Sequence, residues 1–292
     1  MIVYLTLATL PGRKANSIQT VRMCDSLARK GCQVYLLAPA KFERLHVLNT
    51  FQKLKGFYSI KSSFKVIPII PPIFWTKNKK VNVIIHLLTS ALYAFICSIF
   101  IDFIKILTRR RIFLFIRTPL LLALLQALRP LNRGVKIVYE CHNIDYEIST
   151  QGKLKPLFVR GLREASQIIS ISRSLSNQLK KVVRLKRPII ILHDAYDELL
   201  FRGLTETSRD LKTKLGLPQD KWIVAYVGQL WSWKKPEFII DAFRFIEDDD
   251  IILLFVGGSE QDIRRLKEYA KRMKVRNVIF KGFVKPAIVP KY

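Results

Sequence analysis

Met1-Ile2-Val3-Tyr4-Leu5-Thr6-Leu7-Ala8 opens the chain as an apolar run without a charge. A polar turn, Pro11-Gly12-Arg13-Lys14-Ala15-Asn16-Ser17, follows it. Beyond the turn Ile18, Val21, Cys24, Leu27 and Ala28 recur at three- and four-residue steps. The first pattern reads as a buried strand over residues 1–9 and the second as a helix with one apolar face. Asn16 or Ser17 is expected to cap that helix, and Gly31 to end it in the left-handed conformation. Residues 33–38 form the next strand, which completes a βαβ unit, the building block of a parallel sheet. No basic segment precedes the opening run, so it reads as a strand and not as a secretory signal.

The pattern continues outward from this unit. Further strands are expected at 64–70, 112–116, 135–140, 167–171 and 188–192. Thr118 and Pro119 stand where a cap and a first helical residue belong, opening a helix that runs to Leu128. A polar stretch at 193–220 then reads as a connection, and a second run of strands follows at 222–227, 251–256 and 277–280. Helices are expected there at 236–246 and 261–273. The fold class is therefore α/β, with two doubly wound parts: residues 1–192, the connection 193–220, and a partial second domain at 221–292. Three strands are few for an independent domain of this kind, so the second is expected to be incomplete.

Charge is strongly uneven. The 292 residues hold 50 Lys and Arg against 22 Asp and Glu, a formal +28. Residues 1–139 alone carry 22 basic and 3 acidic residues. That half calls for an anionic partner or surface, which includes nucleic acid, acidic lipid and phosphorylated substrates. Cys24, Cys32, Cys97 and Cys141 form no CxxC pair and no zinc spacing, and read as reduced thiols of a cytoplasmic protein.

Residues 83–101 contain no Lys, Arg, Asp or Glu and are long enough to span a bilayer. Lys77, Lys79 and Lys80 precede the stretch and Lys105, Arg109, Arg110 and Arg111 follow it, so no positive-inside asymmetry exists. A span would also divide strands meant for one sheet. The favoured reading is a buried or membrane-surface helix with shallow contact to an anionic leaflet.

Three segments carry the chemistry. Val224-Ala225-Tyr226-Val227-Gly228-Gln229-Leu230-Trp231-Ser232-Trp233-Lys234-Lys235-Pro236-Glu237 is a strand, a glycine turn and a Lys at a helix start. Such a loop offers backbone N–H groups and a mobile cation to a diphosphate, and equally describes a solvated surface loop. Leu253-Leu254-Phe255-Val256-Gly257-Gly258-Ser259 repeats the strand-to-glycine turn, which lets a ligand approach closely or simply reverses the chain. Val138-Tyr139-Glu140-Cys141-His142-Asn143 leaves a strand at its carboxyl end, where ligands of such sheets bind.

The order and content of these pieces resemble glycosyltransferase family 4 over essentially the whole chain. To them are added Ser17-Ile18-Gln19-Thr20-Val21-Arg22-Met23-Cys24, Ile169-Ser170-Ile171-Ser172-Arg173-Ser174, His193-Asp194-Ala195-Tyr196-Asp197 with Phe201, and Val278-Ile279-Phe280-Lys281-Gly282-Phe283-Val284. The resemblance implies the GT-B fold, two Rossmann-like domains, with the second cut short. It implies a donor site with Gly228, Gln229, Lys234, Gly257 and Gly258, in which Lys234 binds the diphosphate and Gly282, Phe283 and Val284 contact the base through backbone groups. It also implies His142 at the transferred sugar, and the loop of Gly12, Arg13, Lys14 and Asn16 near acceptor or phosphate. No metal and no cofactor are implied.

Three departures from the family pattern stand out. Gln229 occupies a position where many members have Arg, and Lys235 stands where Gly is usual. The paired-glutamate motif that holds sugar and ribose hydroxyls does not occur in these 292 residues. The resemblance points to sugar transfer, with retention, from a UDP- or GDP-sugar to a lipid- or polysaccharide-linked acceptor in cell-surface glycan synthesis. Three alternatives remain: a nucleotide-sugar epimerase of the same fold, a catalytically inert truncated relative, and a basic nucleic-acid-binding protein. The last has the charge but no recognisable reading motif, so nucleic acid is not the expected partner.

Overall fold

The computed structural model describes residues 1–39, 50–69, 79–143, 155–185, 187–202 and 204–292. The chain divides into two compact units, Met1–Tyr196 and Asp197–Tyr292.

The first unit is a seven-stranded parallel sheet in the order β3-β2-β1-β4-β5-β6-β7. Its strands are β1 (Ile2–Leu5), β2 (Val34–Pro39), β3 (Lys65–Ile69), β4 (Phe113–Ile116), β5 (Lys136–Cys141), β6 (Gln167–Ser170) and β7 (Ile190–Ile191). Helices α1 (Ala15–Arg29), α2 (Thr50–Tyr58), α3 (Lys79–Thr108), α4 (Pro119–Ala127), α5 (Lys155–Glu164) and α6 (Arg173–Val183) join them. The strands are mostly apolar because both sheet faces are covered. Val3, Leu5, Tyr35, Leu37, Leu114 and Ile116 enter one core with residues of α3 to α6. Tyr4, Val34, Leu36 and Phe115, which alternate with them, enter a second core with α1 and α2. Pro68 sits in β3, an edge strand of the described sheet, where its missing N–H costs no ladder bond.

Seven strands fall where the sequence pattern places them, but β1 ends at Leu5, short of the expected residues 1–9, and β7 keeps only Ile190 and Ile191 of the expected 188–192. Neither Asn16 nor Ser17 caps α1. The helix begins two residues earlier, with Lys14 at the cap and no side-chain capping bond, and the Lys14 carbonyl takes the N–H groups of Ser17 and Ile18. Gly12 explains the early start. A side chain there would collide with Ser17 Oγ at 2.4 Å and the Thr9 carbonyl at 2.6 Å, so the turn packs tightly onto the helix. Gly31 does adopt the left-handed conformation that ends α1. Ile70, expected as the last residue of the third strand, lies outside the described residues.

The second unit holds a three-stranded parallel sheet, order β10-β9-β8, from β8 (Trp222–Val227), β9 (Ile251–Val256) and β10 (Val278–Gly282). The expected connection at 193–220 carries helices of its own, α7 (Glu198–Phe201) and α8 (Ser208–Leu215). In α8 Thr207 and Asp210 form a reciprocal capping box, and Gly216 closes the helix in the left-handed region. Leu217 and Leu215 then pack with Leu254 and Val256, which ties this stretch to the second unit. Helices α9 (Glu237–Phe243) and α10 (Glu260–Arg272) cover the opposite face through Ile240, Phe243, Leu266 and Ala270.

Candidate functional site

In the first unit the carboxyl ends of β4 and β5 deliver Arg117, Glu140 and His142 to one place, and α1 adds Gln19. Gln19 Oε1 accepts from Arg117 Nη2 at 2.7 Å, while its amide nitrogen donates to Asp194 Oδ1 at 2.8 Å. The same nitrogen lies 3.4 Å from Glu140 Oε1. Glu140 is buried, with Arg117 Nε 3.6 Å from Oε1 and His142 Nε2 in contact with the same oxygen. Arg117 Nε also lies 3.0 Å from His142 Nε2. One ring nitrogen cannot donate to a carboxylate and accept from a guanidinium together. The carboxylate is the stronger acceptor, so we assign the Nε2 proton to Glu140; Arg117 Nε, at 3.6 Å, is paired with that carboxylate as an ion and not by a hydrogen bond.

This network leaves two buried polar atoms without a hydrogen-bond partner among the described residues, Arg117 Nη1 and Glu140 Oε2. One is a donor and the other an acceptor. Both atoms are closed to solvent as the side chains stand. Glu140, His142 and Asp194 also set one ligand atom each within 4.8 Å of the others. Yet Arg117 and the Gln19 amide are hydrogen-bonded into that set, and a guanidinium beside a divalent cation is repelled. The cluster reads as a polar cradle and not as a metal centre.

His142 further borders a cavity of about 230 Å³ lined by Ser172, Ser174 and Gln178 at the start of α6. Ser172 caps that helix by accepting from the Leu175 N–H at 3.2 Å. Beneath the cradle Tyr4 is stacked on Phe115, and burial drives its phenol well above the ordinary range, with Arg117 opposing the shift. The loop of Gly12, Arg13, Lys14 and Asn16 is pinned by Tyr58. The phenol accepts from the Gly12 N–H at 2.7 Å and donates to the Gly12 carbonyl at 2.9 Å. Arg13, Lys14 and Asn16 are exposed.

In the second unit Gly228, Gly257 and Gly282 end three neighbouring strands and touch through their backbones. The Gly228 N–H donates to the Val256 carbonyl at 2.9 Å, and the Gly257 N–H to the Gly282 carbonyl at 2.6 Å. A Cβ on Gly257, whose φ is +118°, would stand 2.0 Å from the Gly228 carbonyl oxygen. Gly258 packs against Leu230 in the same way. Ser259 and Asp262 form a reciprocal capping box at the start of α10. Val284 turns its side chain into the small core around Leu254 and Val256, leaving its backbone at the sheet edge.

Lys234 closes a short 3-10 helix, Ser232–Lys234, and is exposed. Its ammonium rests over the indoles of Trp231 and Trp233, 5.7 and 5.5 Å from the ring centres. Arg265 Nη2 donates to the Leu230 carbonyl at 2.8 Å and pairs with Glu237, fixing the loop between Gln229 and α9. Tyr226 donates to the Gln229 carbonyl at 3.1 Å.

The family model described as glycosyl transferases group 1 matches residues 207–292. Those residues are a glycosyl transferases group 1 domain. No curated protein sequence gives a significant match. Anabaena HepE, solved with UDP and glucose, is similar to this chain with a TM-score of 0.63 at 16% identity, covering 99% of this chain and 70% of that one. A Rickettsia africae glycosyltransferase aligns with a TM-score of 0.62 at 15% identity, covering 99% and 69%. The E. coli trehalose-6-phosphate protein bound with UDP-2-fluoro glucose gives 0.63 at 12% identity, covering 99% and 75%. These likenesses show the GT-B fold, and with the group 1 domain they support a transferase enzyme.

Within the group 1 domain Lys235 takes φ +49° and ψ +52°, the left-handed conformation. Glycine adopts this conformation freely, whereas Lys235 occupies it at some strain. Sequence reasoning named His142 but missed Arg117, Gln19 and Asp194. Arg117 follows the apolar run of β4 as His142 follows β5, which was a usable signal. Gln19 and Asp194 stand 175 residues apart, and nothing in their local sequence pairs them.

Proposed function

We propose that the protein transfers a sugar, with retention, from a UDP- or GDP-sugar to a lipid- or polysaccharide-linked acceptor in cell-surface glycan synthesis, working in the cytoplasm. The observation that carries the reading is the unpaired donor and acceptor, Arg117 Nη1 and Glu140 Oε2, buried beside His142. A sugar hydroxyl has both complements, and the cradle must open for it to reach these enclosed atoms. His142, held by Glu140, is then the group that touches the transferred sugar.

The group 1 domain supplies the other requirement. The backbone-lined edge at Gly228, Gly257 and Gly282 admits a diphosphate or base closely, and Lys234 swings from its indoles to the phosphates. In the reaction the acceptor oxygen bonds to the anomeric carbon and the bond to the diphosphate breaks. The acceptor proton passes to the departing phosphate oxygen. Cations and N–H groups stabilise the charge that develops there. HepE and the E. coli protein were solved with UDP or a UDP-sugar, which agrees with a uridine donor.

Calorimetry with UDP and GDP, joined to a turnover assay over a panel of nucleotide sugars, tests the proposal. One nucleotide should bind, and Lys234→Ala should weaken its binding and cost on the order of 10²–10³ in turnover. Binding of neither nucleotide would overturn the reading.

A further inference from the structure

Helix α3 meets the core of its unit with one side only. Tyr93, Ala94, Cys97, Ile101 and Ile104 are buried, and Ser98 Oγ accepts from Asn132 Nδ2 at 3.0 Å. The other side is apolar and exposed. Ile84, Leu88, Leu92, Phe95, Ile99, Phe103 and Ile106 follow one another at steps of four and three residues, a straight stripe along the helix. Over 22 residues it is about 33 Å long. Leu88 is 64% exposed, Phe103 60% and Ile106 67%. A row of this size is not the scatter of single apolar residues that a soluble surface tolerates.

A basic cluster closes one end of the stripe. Arg109, Arg110 and Arg111 follow α3 directly and are exposed, as are Arg133 and Lys136. Local bonds draw them together at the amino edge of the sheet. Lys105 Nζ donates to the Arg133 carbonyl at 2.9 Å, the chain's amino terminus to the Arg111 carbonyl at 3.3 Å, and the Lys136 N–H to the Ile112 carbonyl. Asp102, paired with Lys105, is the one carboxylate in α3. Lys79 and Lys80 begin the helix, so both of its ends are basic.

We infer that the exposed stripe of α3 and the adjoining arginines dock the protein on the surface of an anionic lipid bilayer. The helix lies in the plane of the interface with its apolar side among the acyl chains and its basic ends at the headgroups. A spanning helix is disfavoured because it would withdraw Tyr93, Cys97, Ile101 and Ser98 from the sheet's core. A second copy fits less well. Pairing two stripes about a two-fold axis brings basic ends onto basic ends whichever way the helices run.

Flotation with vesicles of phosphatidylcholine, with and without about 30% phosphatidylglycerol, tests this. Binding should be at least about tenfold tighter to the anionic vesicles and should fall as salt rises from about 0.1 to 0.5 M, since screening shortens to a few ångströms. Leu88→Glu with Phe103→Glu should lose binding about tenfold or more while the circular-dichroism melt stays in place. Arg109→Ala with Arg111→Ala, outside the helix, should weaken binding to anionic vesicles and leave the weak binding to neutral ones unchanged. Equal binding to both vesicles or none to either would overturn the inference. So would resistance to alkaline carbonate, or a dimer that the glutamate pair dissolves in the absence of lipid.

Discussion

Arg117 donates from Nη2 to Gln19 Oε1 at 2.7 Å, which joins the exit of β4 to the first turns of α1. The bond decides which way the Gln19 amide faces. With its oxygen held by the guanidinium, its nitrogen must point at Glu140 and Asp194, so three strand ends and one helix share a single orientation of one side chain.

That sharing makes His142 dependent on Glu140. His142→Ala should lower turnover by roughly 10²–10⁴ if the imidazole acts at the sugar. Glu140→Gln keeps the shape but gives up a charge-assisted bond of about 2 kcal/mol, which is on the order of thirtyfold in rate. Combining the two should cost little more than His142→Ala alone, because the carboxylate acts through the ring. Additive losses in a steady-state assay would show that Glu140 has a task of its own.

Lys235→Gly should raise the stability of the group 1 domain. A lysine in the left-handed region is strained by about 1–2 kcal/mol, and glycine's extra chain entropy returns about half of that. A gain of up to about 1 kcal/mol in urea unfolding is expected. A loss would mean that the ammonium makes up for the backbone strain.

Gly257→Ala should do the reverse. The new methyl would stand 2.0 Å from the Gly228 carbonyl oxygen, and the strands cannot part without breaking β8 from β9. A loss of about 3 kcal/mol or more follows. Gly216→Ala is the comparison, with φ +60° but nothing nearer than Lys281 Nζ at 3.9 Å, and should cost about 1 kcal/mol. Equal melting shifts for the two would remove the case for a close backbone junction.

The cysteines should separate cleanly in a thiol titration of the native protein. Burial pushes the Cys97 thiol up to about 12, and burial with Asp25 alongside raises Cys24 as well. At pH 8 neither carries an appreciable thiolate, and both are enclosed. Cys32, partly exposed, should react first, and the others only as the protein opens. Rapid reaction of more than one thiol would contradict the packing around α1 and α3.

The two strands read most closely were β8 and β9, whose ends match the sequence expectation residue for residue. Each is a six-residue apolar run stopped by glycine, so composition marks the boundary. The cap of α1 was misjudged because a cap depends on how tightly the preceding turn folds, here on Gly12 against Ser17, and not on which hydroxyl or amide is available. The cradle was half legible. Glu140 and His142 leave one strand together, whereas Gln19, Arg117 and Asp194 join them only through the order β1-β4-β5-β6-β7, which no local pattern encodes.

That order also governs how the protein is made. β1 leaves the ribosome ahead of β2 and pairs with it as soon as it emerges, but its other neighbour is β4, roughly 75 residues further on. At about 5–20 residues per second, the growing chain carries an open strand edge for several seconds. During the same interval α3 emerges with the side that later packs on α4 uncovered, since α4 has not yet been synthesised. Recombinant yield should therefore respond to slower translation, lower temperature or co-expressed holding chaperones more than to any change at the cradle.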